Sequence, residues 1–98
     1  MKNDEKILNA LSAGYLVPDP NTGQIFLPRA KRIADSICTK GYPMVNLVLD
    51  GHCTHLLSHR IIWIYVNGIP DDPDLQINHK NGIKTDNRIA NLELVTGA

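Results

Sequence analysis

The stretch "INHKNG", residues 77–82, sets Asn78 and His79 behind an apolar residue and just ahead of an Asn81-Gly82 corner, and Asn87 and Asn91 follow shortly after. Histidine titrates near neutrality as a residue type, so it can take a proton from water. An amide or carboxylate oxygen suits a hard cation such as magnesium. Hydrolysis of a phosphodiester needs both parts: a base for the water, and positive charge against the negative charge that builds up on the leaving oxygen. Neighbouring side chains on a strand point to opposite faces. Asn78 and His79 can therefore serve one phosphate only if the strand ends or twists there, which the Asn81-Gly82 corner allows. The same residues also make an ordinary hairpin tip carrying a surface histidine.

The elements that must position this set can be read along the chain. "NDEKILNALSAG" predicts a short helix, capped by Asn3 or Asp4, with Ile7, Leu8 and Leu11 on one face and Gly14 as its stop. Two prolines and Asn21-Thr22-Gly23 make "VPDPNTGQIF" a turn, with "QIFL" as the strand leaving it. "YPMVNLVLDG" reads as a strand closed by an Asp50-Gly51 hairpin pair, and "THLL" as its return arm. "SHRIIWIYVNG" is apolar nearly all round, and Ser58 as N-cap and Gly68 as stop favour a buried helix over a strand. In it Ile61, Ile62, Trp63, Tyr65 and Val66 are expected to pack against Val45, Leu47 and Leu49. "IPDDPD" is an exposed loop, "LQINH" and "LELVT" are paired strands, and one helical turn begun by Thr85 or Asp86 is expected between them.

A chain of 98 residues is one domain, and 43% hydrophobic residues can fill a modest core. No run approaches the roughly 18 apolar residues of a membrane span, and the acidic, polar start is not a signal peptide, so a cytoplasmic protein without membrane contact is expected. "GHCTHLLSH" invites a zinc reading, but no second ligand half completes it, and no zinc is expected. Ten basic residues balance ten acidic ones, which argues against nucleic-acid binding by bulk charge. Locally, Arg29, Lys31 and Arg32, then Lys80, Lys84 and Arg88, form two basic faces, which fit phosphate contacts and a solvated surface equally well.

"LVPDPNTGQIF", "KGYPMVNLVLDG", "SHRIIWIYVNG" and "INHKNGIKTDNRIANLELVT", in this order and spacing, resemble the small phage and bacterial HNH endonucleases, a group that includes homing nucleases. The resemblance runs from about residue 7 to the last residue. It implies His79 as general base, Asn78 where the family usually has a metal-binding aspartate, and Asn91 as the middle asparagine that braces the loop and keeps the histidine oriented. Asn87 and His59 take supporting roles, and Arg60 is structural or a phosphate contact. The family's metal-binding helix would follow "NLELVT" directly, so the second metal ligand would fall beyond Ala98.

The fold expected is therefore α+β: a small antiparallel sheet, a buried central helix and a C-terminal HNH (ββα-metal) hairpin, about residues 75–96, lacking its final helix. The function expected is a DNA endonuclease that uses weakly held magnesium or manganese. By this reading residues 1–98 nick DNA weakly or not at all alone, pending a C-terminal segment or a partner chain. The setting implied is a bacterial host cell, with the gene carried by a phage. The alternative is a non-catalytic DNA- or protein-binding relic of such a nuclease.

Overall fold

The computed structural model describes residues 3–49, 51–72 and 75–96. Helix α1 spans Asn3–Ser12. Its apolar spacing puts Ile7 and Ala10 fully inside, and Gly14, at φ 78°, turns the chain after it. Strands β1 (Val17–Pro18), β2 (Ile25–Leu27) and β3 (Arg32–Ile33) form one antiparallel sheet in sequence order. Strands β4 (Ser36–Ile37), β5 (Pro43–Leu49) and β6 (His52–Leu57) form a second. The long β5–β6 hairpin runs in register from Met44↔Leu57 to Leu49↔His52. Of the Asp50-Gly51 turn expected there, Asp50 lies outside the described residues; Gly51 has a φ of 79°.

Helix α2 (Ser58–Asn67) is the central element. Ser58 is not its N-cap. Leu57 holds that place, with extended backbone and no side-chain cap, while Ser58 is a buried first helical residue. The stop is as expected, with Gly68 donating its N–H to Ile64 O at 2.8 Å. Ile61 and Ile62 are fully buried and share one core with Ile7, Ile25, Val45 and Leu92. Each such side chain contributes about 1.5–3 kcal/mol through burial. The all-round apolar run was expected to bury Tyr65 and Val66 too, but they are 53% and 45% exposed. They share faces with Ile61 and Ile62 but lie at the C-terminal end of the helix, where the elements packed around its first turns no longer cover it. Trp63, Leu47 and Leu49 are partly buried at the edge of the core.

Strands β7 (Leu75–His79) and β8 (Leu92–Thr96) make a third, two-stranded sheet. The antiparallel strands are thus divided among three small sheets, because turns, prolines and α2 interrupt them after a few residues. The helical turn expected at Thr85 or Asp86 begins later, as a 3-10 turn at Ile89–Asn91. Asp86 is engaged instead with Asn81 and Arg88.

The two helices are tied by a bidentate pair. Arg60 Nε donates to Asp4 Oδ1 at 2.9 Å, and Nη2 to Oδ2 at 2.6 Å. Both side chains are about a quarter exposed, so the pair lies between a surface bridge and a buried one. Asp4→Asn is expected to lower stability by about 1 kcal/mol in urea unfolding. An unchanged midpoint would mean that the pair contributes nothing.

Candidate active site

Strand β7 ends on Asn78 and His79, and the ladder stays regular to its last rung, with Asn78↔Glu93 and His79↔Leu92. The pleat therefore separates the two side chains. His79 is 7% exposed, while Asn78 is exposed on the other face and donates Nδ2–H to Glu93 Oε1 at 2.9 Å. The corner at Asn81-Gly82 lies after the last pair and does not turn Asn78 toward His79; Gly82, at φ 75°, donates its N–H back to His79 O at 3.0 Å.

His79 is gripped from the loop that follows. Its Nε2 lies 2.7 Å from Asn87 Oδ1, and Asn87 is 2% exposed. An amide oxygen only accepts, so Nε2 carries the proton and donates it. That leaves Nδ1 with its lone pair and no partner among the described residues. A ring fixed in one tautomer with one basic nitrogen free has the form of a general base.

Asn91 knots the loop itself. Its Nδ2 donates to Asn81 Oδ1 and to Asp86 O, both at 2.9 Å, and its Oδ1 accepts from the Asn81 N–H at 3.2 Å. Asn91 touches no ring atom of His79; it fixes the backbone on both sides of it. Asp86 adds a second layer, accepting from Asn81 Nδ2 and from both Nε and Nη2 of Arg88. The Arg88 guanidinium, with the Asn81 amide, holds the Asp86 carboxyl well below the usual carboxylate range.

Two more rings wall the histidine. His59 stands edge-on to His79, centroids 5.1 Å apart, and Tyr42 lies 5.5 Å from His59 and 6.1 Å from His79. His59 Nδ1 is a closed-off polar atom without a partner among the described residues. Burial first, then the neighbouring His79 and Arg60 charges, push the His59 pKa down to about 4. It is a neutral wall at physiological pH. Lys84 reaches over Tyr42, with Nζ 4.8 Å from the ring centre and donating to Lys40 O at 2.9 Å.

The sequence-selected cations divide into two groups. Arg60, Arg32 and Arg88 are engaged with Asp4, Asp35 and Asp86. Arg29 lies over the Tyr15 ring, and Lys31 and Lys80 are exposed with no ion pair among the described residues. The structure brings Lys84 toward the histidine cluster. No contact joins Arg29, Lys31 or Arg32 to it among the described residues.

The donors near Asn78 suit a hard cation in kind, being an amide oxygen and the Glu93 carboxylate, but are fewer than the six or so such an ion takes. No group of three or more His, Cys, Asp or Glu able to hold a metal occurs among the described residues. Sequence reasoning passed over Tyr42 and Glu93. Tyr42 had only its place in the "KGYP" strand start to mark it. Glu93 could have been found by pairing "QINH" against "LELV" in antiparallel register.

Comparison with known proteins agrees with this architecture. A family model described as HNH endonuclease matches residues 57–98, which hold α2 and the β7–β8 hairpin. The H-N-H endonuclease F-TflI of Escherichia phage T5 is 29% identical over 85 residues, covering 85% of this chain and 43% of that protein. The HNH homing endonuclease I-HmuI, in a structure concerned with DNA binding and cleavage, superposes with a TM-score of 0.70 at 27% identity, covering 85% of this chain and 47% of that one. The chain thus spans less than half the length of either relative. The histidine-ended hairpin and the asparagine-knotted loop lie within the segment that matches the HNH endonuclease family, and across 85% of its length the chain is similar to HNH endonucleases.

Proposed function

We propose that this chain carries the catalytic hairpin of a DNA endonuclease of the HNH type. The observation that carries the reading is the fixed His79 ring, whose Nε2–H is spent on Asn87 while Nδ1 keeps its lone pair. In this reading Nδ1 takes the proton of the attacking water. Asn87 holds the ring against rotation, Asn91 keeps the loop folded, and His59 and Tyr42 exclude water from the ring's sides. Lys84 and Lys80 meet the phosphates of the bound strand. A divalent ion, magnesium or manganese, supplies positive charge against the leaving oxygen when bound. Asn78 and Glu93 lie on the hairpin face opposite His79 and do not fit as its ligands at the phosphate that His79 would serve. DNA as substrate rests on likeness to I-HmuI, whose structure concerns DNA binding and cleavage. A bacterial cytoplasm as the setting rests on the phage relative, and no described helix is long and apolar enough to cross a membrane.

Supercoiled-plasmid nicking with magnesium or manganese tests the reading, at protein in excess over DNA. Slow nicking that His79→Ala removes is expected. Loss of all His79-dependent nicking, with DNA binding intact, would favour a DNA-binding relic. The neutral Asn78, already engaged by Glu93, is the observation on that reading's side.

Binding should be modest and its salt dependence shallow, because only a few cations are free to meet phosphate. Replacing Arg29, Lys31 and Arg32 together by alanine should weaken binding about equally on all sequences and reduce the slope of log affinity against log salt by roughly one per lost contact. An unchanged slope would put the phosphate contacts on the Lys80–Lys84 side alone.

A further inference from the structure

The turn between β1 and β2, far from His79 in sequence, presses on the loop that holds it. The turn is closed by its own bonds: Asp19 N–H to Gln24 O at 2.8 Å, Gly23 N–H to Asp19 O at 2.7 Å, and Asn21 N–H to Asp19 Oδ1 at 3.0 Å. Gly23 has a φ of +77°. A Cβ there would lie 2.5 Å from Asn87 C, 2.7 Å from Arg88 N and 2.9 Å from Asn87 Cα. These are backbone atoms, which cannot swing aside as a side chain can. Two residues on, the Ile89 N–H donates to Pro20 O at 2.8 Å. The turn therefore fixes the backbone of Asn87 by contact and that of Ile89 by a hydrogen bond. Asn87 in turn holds His79 Nε2 through a single short bond.

We propose that the 19–24 turn is a positioning element for His79, acting through Asn87, with Gly23 and the Pro20 carbonyl as its two working parts. The reason for glycine is then double: a left-handed backbone, and a surface flat enough for Asn87 to lie against. A shift of the Asn87 backbone by a few tenths of an ångström moves its amide oxygen off the ring. Nothing else among the described contacts holds Nε2–H in preference to Nδ1–H. The consequence for catalysis rests on the nuclease reading, but the geometry does not.

The test reads the His79 ring directly, without DNA or metal, so a chain that fails to nick leaves its result standing. Nitrogen-15 spectra of the neutral ring distinguish the two tautomers. The unaltered chain should show the Nε2–H form alone, with a nuclear Overhauser contact from Gly23 Hα to the Arg88 amide. Gly23→Ala should lose the single-tautomer pattern, with the Nδ1–H form appearing beside the intrinsically favoured Nε2–H. Gly14→Ala is the control: Gly14 has nearly the same φ, +78°, and nothing within 4 Å of the added Cβ, so it carries the strain without the contact. It should keep the original pattern. Ile89→Pro removes the other part, and Arg88 already has a backbone (φ −60°, ψ 138°) that a following proline accepts. It too should release the tautomer, and it decides the matter if Gly23→Ala does not fold. An Nδ1–H ring in the unaltered chain, or no Nδ1–H form in Gly23→Ala or in Ile89→Pro, would overturn the proposal.

Discussion

His79→Ala reduces nicking by about 10²–10⁴-fold, the range that general-base catalysis usually contributes. The expectation rests on geometry: one ring nitrogen held by Asn87 at 2.7 Å, the other bearing a lone pair. The informative quantity is the ratio of mutant to unaltered rate, so it holds whether this chain cuts briskly or slowly. Asn87→Ala should fall between the two, because the base remains while its tautomer and orientation are lost. Asn91→Ala should act through the loop, lowering the rate without changing which ring nitrogen is protonated in the surviving folded fraction. First-order nicking of supercoiled plasmid at saturating protein measures all three. A His79→Ala chain that cuts as fast as the unaltered one would remove histidine from the mechanism and leave the asparagine knot as scaffolding only.

Stability falls by about 3 kcal/mol between pH 6.5 and pH 4, and His59 is the cause. In the folded protein its pKa is pushed down to about 4 by burial, then by His79 and Arg60; the ordinary value is 6.5. Above pH 6.5 both folded and unfolded forms carry a neutral ring, and no penalty exists. Between 6.5 and 4 the unfolded chain binds a proton that the folded one refuses, so unfolding is favoured as pH falls. Below 4 both are protonated and this contribution levels off. His59→Phe keeps a flat ring beside Tyr42 and His79 and removes the partnerless Nδ1. Urea titrations of both chains at pH 7 and pH 4.5 should show a much smaller acid loss in the variant. Equal losses would show that other groups, the carboxylates among them, govern acid sensitivity here.

The sequence by itself determined the longer elements: α1, the β5–β6 hairpin, α2 and the β7–β8 pair. Hydrophobic runs, Gly68 and the Asn81-Gly82 corner act locally, through backbone conformation and periodicity, and such signals survive in a linear reading. For the same reason it determined which residues form the loop around His79, since Asn81, Asn87 and Asn91 are close in the chain as well as in space. Tertiary structure alone decided what faces what. That Asn78 points away from His79 follows from the β7–β8 ladder staying regular to its last pair, a property of two strands and not of one. Arg60 is tied to Asp4 because α1 returns across α2, an encounter no spacing rule contains. Tyr65 and Val66 meet water because the packing around α2 stops short of its C-terminal end, and coverage depends on the whole chain's packing. The contact of Gly23 with Asn87 is of the same kind: short-range forces between residues that only the folded chain makes neighbours.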